Sequence, residues 1–166
     1  MTAPAFPAEG QCTCGAVRYR IGVPPIIVHA CHCSWCQRET GSAFAWNALF
    51  ERDRIDVLQG EDTLEEIATP SASGKGQRIM RCRHCRVALW SHYPGGGNAI
   101  AFVRVGTLDH PEAFPPDVHI FTSTKQPWFE LPANAHAYAE FYDPKTVWSD
   151  EQRGRYRAAK ERAGEP

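Results

Sequence analysis

The chain has no eighth cysteine. There are seven among its 166 residues, and an odd count argues against a complete disulfide framework. Net charge is also nearly absent. Eighteen Lys and Arg against nineteen Asp and Glu leave −1, so nothing draws the whole molecule toward nucleic acid or an anionic membrane surface. No apolar run approaches the roughly 18 residues needed to cross a bilayer. The opening "MTAPAFPAEG" lacks a basic region followed by an apolar core, so it does not read as a signal peptide. A cytoplasmic location is expected, where thiols stay reduced. Cysteines in such a protein point to metal or catalysis more than to disulfides. There is no clear internal repeat and no long linker. With 43% apolar and 22% charged residues, the chain is most simply one globular domain with its own core.

What is present is a series of short β-type runs broken by turn residues. In "AVRYRIGV" (16–23), Val17, Tyr19 and Ile21 alternate with Arg18 and Arg20, and Pro24 and Pro25 end the run. "IIVHA" (26–30) is a second strand leading into a cysteine triplet. "FAWNALF" (44–50), "IDVLQG" (55–60), "LEEIAT" (64–69), "QRIMRC" (77–82), "VALWSHY" (87–93), "AIAFVRVGTL" (99–108) and "PDVHIFT" (116–122) continue the series, with turns at "PSASGKG" and "PGGGN". Only the end reads as helix, over residues 149–163, where Ser149 and Gln152 have the spacing of a capping box. The expected fold is mainly β, with several short-stranded sheets and a C-terminal α-helix.

The cysteines fall into three groups: Cys12 and Cys14 in "CTC", Cys31, Cys33 and Cys36 in "CHCSWC", and Cys82 and Cys85 in "CRHC". C-x-x-C after a strand makes a knuckle whose turn brings both sulfurs to one ion. C-x-C is tighter and chelates from an extended or bulged backbone. Gly15, directly after Cys14, permits the turn. One isolated pair also reads as buried free cysteine, which is common; three groups together favour metal. Two closed four-cysteine sites would use eight thiolates, one more than the chain has. Joining Cys12, Cys14, Cys82 and Cys85 leaves Cys31, Cys33 and Cys36 as a three-thiolate site. Such a site is closed by a histidine or open to water and substrate, and open positions mark catalytic zinc. His32 sits between two ligands and, in an extended segment, points away from the ion. His29 has the strand parity of Cys31 and Cys33 and is the better closing candidate. Geometry favours the open reading. Spacing leaves other pairings open, such as the triplet with Cys82 or Cys85.

Together, "GQCTCGAVRY", "CHCSWCQRETGSAF", "CRHC" and "GTLDHPEAFPPDVHIF" resemble the glutathione-dependent formaldehyde-activating enzyme family, over residues 10–132. The resemblance implies an Mss4-like fold of short-stranded coiled sheets stapled by zinc. Residues 1–9 and 133–166 would be N- and C-terminal extensions, the latter packed on the same domain. It also implies two Zn²⁺ ions per chain, a structural one on Cys12, Cys14, Cys82 and Cys85 and a catalytic one on Cys31, Cys33 and Cys36. Glutathione would be the co-substrate. The family usually has glycine after the last C-x-x-C, where this chain has Arg86. If that backbone is left-handed, arginine there costs roughly 1 kcal/mol more than glycine.

The chemistry so implied is that of a carbon–sulfur lyase or synthase joining a thiol to a small aldehyde such as formaldehyde. A glutathione thiol in the open position would be stabilised as thiolate. Three protein thiolates leave the zinc site at −1, which favours exchange of a fourth thiolate over strong carbonyl activation. Arg38 and Lys125 are candidates for binding the glutathione carboxylates, although each has the commoner alternative of a solvated surface charge. Trp35, Trp46 and Trp128 are candidate pocket walls or simply half-buried strand residues. The competing reading is a structural zinc module that binds a protein partner without catalysis. A basic arm in "RIMRCRHCR" for nucleic acid ranks third. The expected partners are a small-molecule thiol and aldehyde, with no nucleic acid and no membrane; a homo-oligomer is compatible with this.

Overall fold

The computed structural model describes residues 5–166. Its strands are β1 (Ala8–Gln11), β2 (Arg18–Ile21), β3 (Ile27–Cys31), β4 (Ala45–Glu51), β5 (Ile55–Gln59), β6 (Leu64–Thr69), β7 (Gln77–Cys82), β8 (Ala88–His92), β9 (Ile100–Arg104), β10 (Val118–Ile120) and β11 (His136–Ala137). Three helices join them: α1 (Ser34–Thr40), α2 (Pro144–Val147) and α3 (Asp150–Ala163). One sheet has the order β1-β2-β5, and the other β11-β10-β3-β4-β9-β8-β7-β6. Pairs are antiparallel except where β10 meets β3 and β11. The expected turns do connect neighbours, β6 with β7 and β8 with β9.

Period-2 alternation sends the central strands to two cores at once. Val28, Ala48, Phe50, Ala101 and Val103 pack with Tyr19 and Ile21 of the small sheet. Ile27, Cys31, Leu49 and Ile100 face the other way, toward Trp148 and Ala159 of the C-terminal segment. The large sheet is therefore covered by the small sheet on one face and by α3 on the other. Each fully buried side chain of this size stabilises by about 1.5–3 kcal/mol, so both faces hold the sheet in place.

Helix α3 buries only Ala159, too little apolar surface to dock it. Polar anchors do that instead. Arg155 bonds both oxygens of Glu51 at 2.7 and 2.8 Å and the Pro24 carbonyl at 2.7 Å. Arg162 pairs with Asp53 at 2.6 Å, and the Tyr156 hydroxyl donates to the Gly95 carbonyl at 2.8 Å. The Ser149–Gln152 capping box is formed, as its spacing predicts.

The expectation that only the end is helical does not hold. Helix α1 follows the cysteine triplet directly. It is only about two turns long with no apolar stripe, and its N-cap is Cys33 rather than a hydroxyl or carboxylate residue. The available signal was Gly41, which closes it in the left-handed region at φ 63°. Helix α2 carries Asp143 as N-cap and Pro144 at its first position, a start signal in four residues. The run "AIAFVRVGTL" is strand only to Arg104, then turns through Val105–Thr107. Strands β1 and β11 have no apolar alternation to announce them.

Glu51 is 5% exposed, and Arg155 is the cation that pairs with it. Arg155→Ala leaves a buried carboxylate uncompensated. The expected loss is about 3 kcal/mol in chemical denaturation, while Arg157→Ala two residues on costs less than about 0.5 kcal/mol.

Candidate metal centre and its cavity

Cys12 and Cys14 lie in the turn from β1 to β2, and Cys82 and Cys85 in the turn from β7 to β8. Their four sulfurs all lie within 4.8 Å of one another. Cys14 Sγ is 3.5 Å from Cys12 Sγ and 3.7 Å from Cys82 Sγ. Sulfurs tetrahedrally arranged about one zinc, at a Zn–S distance of about 2.3 Å, stand about 3.8 Å apart, so the spacing suits that ion. The two turns share a backbone device. Gly15 and Arg86, each one residue past the second cysteine, have φ of 73° and 64°. Gly15 N–H bonds the Cys12 carbonyl at 3.0 Å, and Arg86 N–H bonds the Cys82 carbonyl at 2.9 Å. The left-handed backbone suspected at Arg86 is therefore real, and it carries the arginine cost. Without a cation the thiols compete for charge. Burial opposes the Cys85 thiolate, yet N–H groups of Val87 and Cys14 bring it down to about 6. The Ala16 N–H favours the Cys14 thiolate, but Cys12 and burial outweigh it and push Cys14 up to about 11.

The triplet is built across a strand–helix junction. Cys31 ends β3, Cys33 caps α1 and accepts the Cys36 N–H at 3.4 Å, and Cys36 lies inside the helix. These sulfurs too lie within 4.8 Å of one another, and all three residues are buried. Hydrogen bonds from Cys31 and then Cys36 pull Cys33 down to about 3. The same bonds, with burial, push Cys31 far up. In Cys36 the Cys31 bond favours the thiolate, but Cys33 and burial prevail and raise it to about 12. Alone, the triplet holds one negative charge. A divalent cation lets all three ionise, and thiolates are the soft donors that zinc takes.

His29 does not complete the set. Its Nε2 lies 2.6 Å from the Tyr142 hydroxyl, whose oxygen also accepts Trp148 Nε1–H at 2.7 Å. Burial pushes His29 down to about 3, so it is neutral. Strand β3 itself ends at Cys31, and Cys33 is the N-cap of α1. His32 points away, with Nε2 3.0 Å from His119 Nδ1. Among the described residues no histidine or carboxylate joins the three sulfurs within the distance that they share.

Cys31, Cys33 and Cys36 line a cavity of about 980 Å³. The four-cysteine cluster does not. Aromatic walls come from Trp35, Phe102, Phe121, Phe141 and Trp148, and cations from Lys75, Lys145, Arg153 and Arg157. No carboxylate residue is among those lining the cavity. Phe121 stands in the left-handed region at φ 55°, a costly backbone for a large side chain.

The model of the glutathione-dependent formaldehyde-activating enzymes matches residues 7–124. The chain belongs to that family. A Halomonas elongata protein named "Putative glutathione-dependent formaldehyde-activating enzyme" is 31% identical over 128 residues, 74% of this chain and 80% of its own. A crystal structure of a Rhodobacter sphaeroides protein aligns over 61% of this chain and 87% of that one, at 21% identity and a TM-score of 0.47. The part matched by the family model contains all seven cysteines and Lys75. The lining residues from Phe141 to Arg157 lie beyond it.

The other sequence candidates are spread out. Arg38 is exposed in the last turn of α1, and Lys125 Nζ donates to the Gln126 and Phe129 carbonyls at 3.0 and 2.6 Å. Neither lines the cavity. Trp35 does; Trp46 donates to the Phe114 carbonyl instead, and Trp128 is 70% exposed. The arginines of "RIMRCRHCR" are largely partnered, with Arg78, Arg81 and Arg86 paired to Glu66, Glu39 and Glu65. The four cavity cations were missed. Arg153 and Arg157 sit one turn apart on one helix face, which was a readable signal; Lys75, in a turn, gave none.

Two sets of variants test the centre. Cys82→Ser cuts the crosslink between distant turns and should leave the protein largely unfolded, whereas Cys33→Ser should keep native circular dichroism and lose about one metal equivalent. If both are equally insoluble, the triplet is structural. At position 86, Gly should be more stable than Ala by about 1 kcal/mol in denaturant titration, since both lose the Glu65 pair and only Ala keeps the left-handed cost.

Proposed function

We propose that this chain is a zinc-dependent enzyme that joins a glutathione-like thiol to a small aldehyde such as formaldehyde, a carbon–sulfur lyase or synthase in type. The observation that carries the reading is a three-sulfur cluster opening onto a cavity with four cations and no carboxylate among its lining residues. Family membership supports it. In this reading Cys12, Cys14, Cys82 and Cys85 hold one Zn²⁺ that staples the sheets in an Mss4-like fold. Cys31, Cys33 and Cys36 hold a second, with the fourth place left for substrate. Zinc held by three thiolates stabilises a fourth sulfur as thiolate at neutral pH.

The chain's own residues do the rest. Lys75, Lys145 and Arg157 attract the substrate carboxylates, and the aromatic walls exclude water. The neutral His29–Tyr142–Trp148 chain keeps the floor beside the triplet uncharged. In the reaction the carbonyl π bond breaks, a carbon–sulfur bond forms, and the proton given up by the thiol ends on the hydroxyl oxygen of the adduct. The second reading, a structural module with both metals closed, keeps one specific support: the fold places the histidine nearest in parity, His29, on the cavity floor.

Metal analysis should give about two zinc ions per chain. A mild chelator should remove one first and leave the fold intact, because three donors and an exchangeable ligand hold less tightly than four. In the cobalt-substituted protein, glutathione should add thiolate charge-transfer absorption at the weaker site. Loss of both ions in one step with global unfolding would sink the division into two roles. A nitrogen ligand at roughly 2.0–2.1 Å from the triplet metal would favour the module.

A further inference from the structure

The cavity is too large and too apolar for the smallest partners. Specific small-molecule sites run from about 300 to 1,000 Å³, and this one, about 980 Å³, lies at the top of that range. Glutathione is polar along its length, and formaldehyde brings a single carbon. Neither needs so many aromatic side chains lining the same cavity as the triplet. Phe121 and Phe141 stand 6.5 Å apart, and Phe141 stacks on Tyr142 at 4.7 Å with planes at 16°. Phe141 is nevertheless 49% exposed, an aromatic surface left uncovered at the cavity wall.

The charges are equally directional. Lys75, Lys145 and Arg157 make no ion pair or side-chain hydrogen bond among the described residues, and Arg153 pairs with Asp150 while also lining the cavity. Three of these four cations, and the aromatic rings of Phe141 and Trp148, come from residues 141–157, beyond the segment 7–124 that the family model matches. Part of the cavity wall thus comes from a different part of the chain than the sulfurs, while Trp35, Lys75, Phe102 and Phe121 come from the same one.

We propose that the cavity selects an anionic thiol adduct whose carbon part is apolar and larger than one carbon, and that the segment 141–157 sets this preference. The inference rests on the thiol–aldehyde reading above. The cations take the carboxylates of the thiol component. The aromatic walls take the alkyl or aryl group that an aldehyde longer than formaldehyde would contribute.

S-alkylglutathiones test this without any reaction, since they have no free thiol to join the metal. Isothermal titration of the zinc-loaded protein should show S-hexylglutathione binding about tenfold or more tighter than S-methylglutathione, as expected for the extra methylenes buried. A neutral probe, hexyl 2-hydroxyethyl sulfide, should bind about tenfold or more weaker than S-hexylglutathione. Phe141→Ala should narrow the hexyl preference by about threefold or more, and Lys145→Glu should weaken both glutathione probes. Should a variant fail to fold, the wild-type ligand series decides alone. Equal affinity for the methyl and hexyl compounds overturns the inference, and so does equal affinity for the neutral sulfide. If glutathione still adds thiolate absorption to the cobalt protein, the thiol reading stands without it. If neither glutathione nor its S-alkyl forms bind, both fall.

Discussion

Sulfur crowding is the constraint on which the rest of the structure depends. Cys14 stands 3.5 and 3.7 Å from two other sulfurs, and the triplet's three sulfurs lie within 4.8 Å of one another. Neutral thiols gain little from such contact, being weak donors and weak acceptors. Thiolates without a cation would repel. The arrangement suits two sets of metal ligands. The first cluster brings the β1–β2 turn to the end of β7 and the turn after it, where the small sheet meets the large one.

The second cluster depends on the sheet in another way. Strand β3 is buried along its whole length, paired with β4 on one side and β10 on the other. That fixes Cys31. Cys33 is still extended, at φ −63° and ψ 150°, and caps the helix that begins at Ser34, so only Cys36 reaches the same point from helical backbone. A strand alone would have sent Cys31 and Cys33 to the same face but Cys36 to the opposite one. The helix turn is what converges the third sulfur.

Much of this was legible beforehand, and the pattern of what was not has physical causes. The three cysteine groups were visible as chelating spacings, which are local properties that few other roles demand, but spacing left their pairing open; the fold gathers Cys12, Cys14, Cys82 and Cys85 in one cluster and Cys31, Cys33 and Cys36 in another. Most strands were visible because "AVRYRIGV" and "FAWNALF" alternate or run apolar. Helix α1 was invisible for the opposite reason. It is capped by a metal-type cysteine and held by tertiary contacts, so neither a propensity nor a periodic stripe marks it. The cavity cations are the clearest loss. Lys75, Lys145 and Arg157 come from separate turns and helices, and only the folded chain turns them toward one space. Arg38 and Lys125 were chosen for closeness in sequence to the triplet or to an aromatic stretch, which says little about the direction of a side chain.

Charge ties the two ends of the molecule together. A divalent ion on three thiolates leaves −1 at the bottom of the cavity, and a substrate thiolate makes it −2. Arg104 is 7% exposed and bonds Asn47 and, at 2.9 Å, the Ser91 hydroxyl, with no carboxylate partner among the described residues. Such a buried cation is costly unless something negative lies near. Its field favours the Cys36 thiolate only after the larger influences of Cys31, Cys33 and burial, which together raise that thiol. Four more cations line the cavity with the triplet. In the proposed reading, the cations at the cavity wall would offset the charge of an arriving anionic thiol in a low-dielectric space.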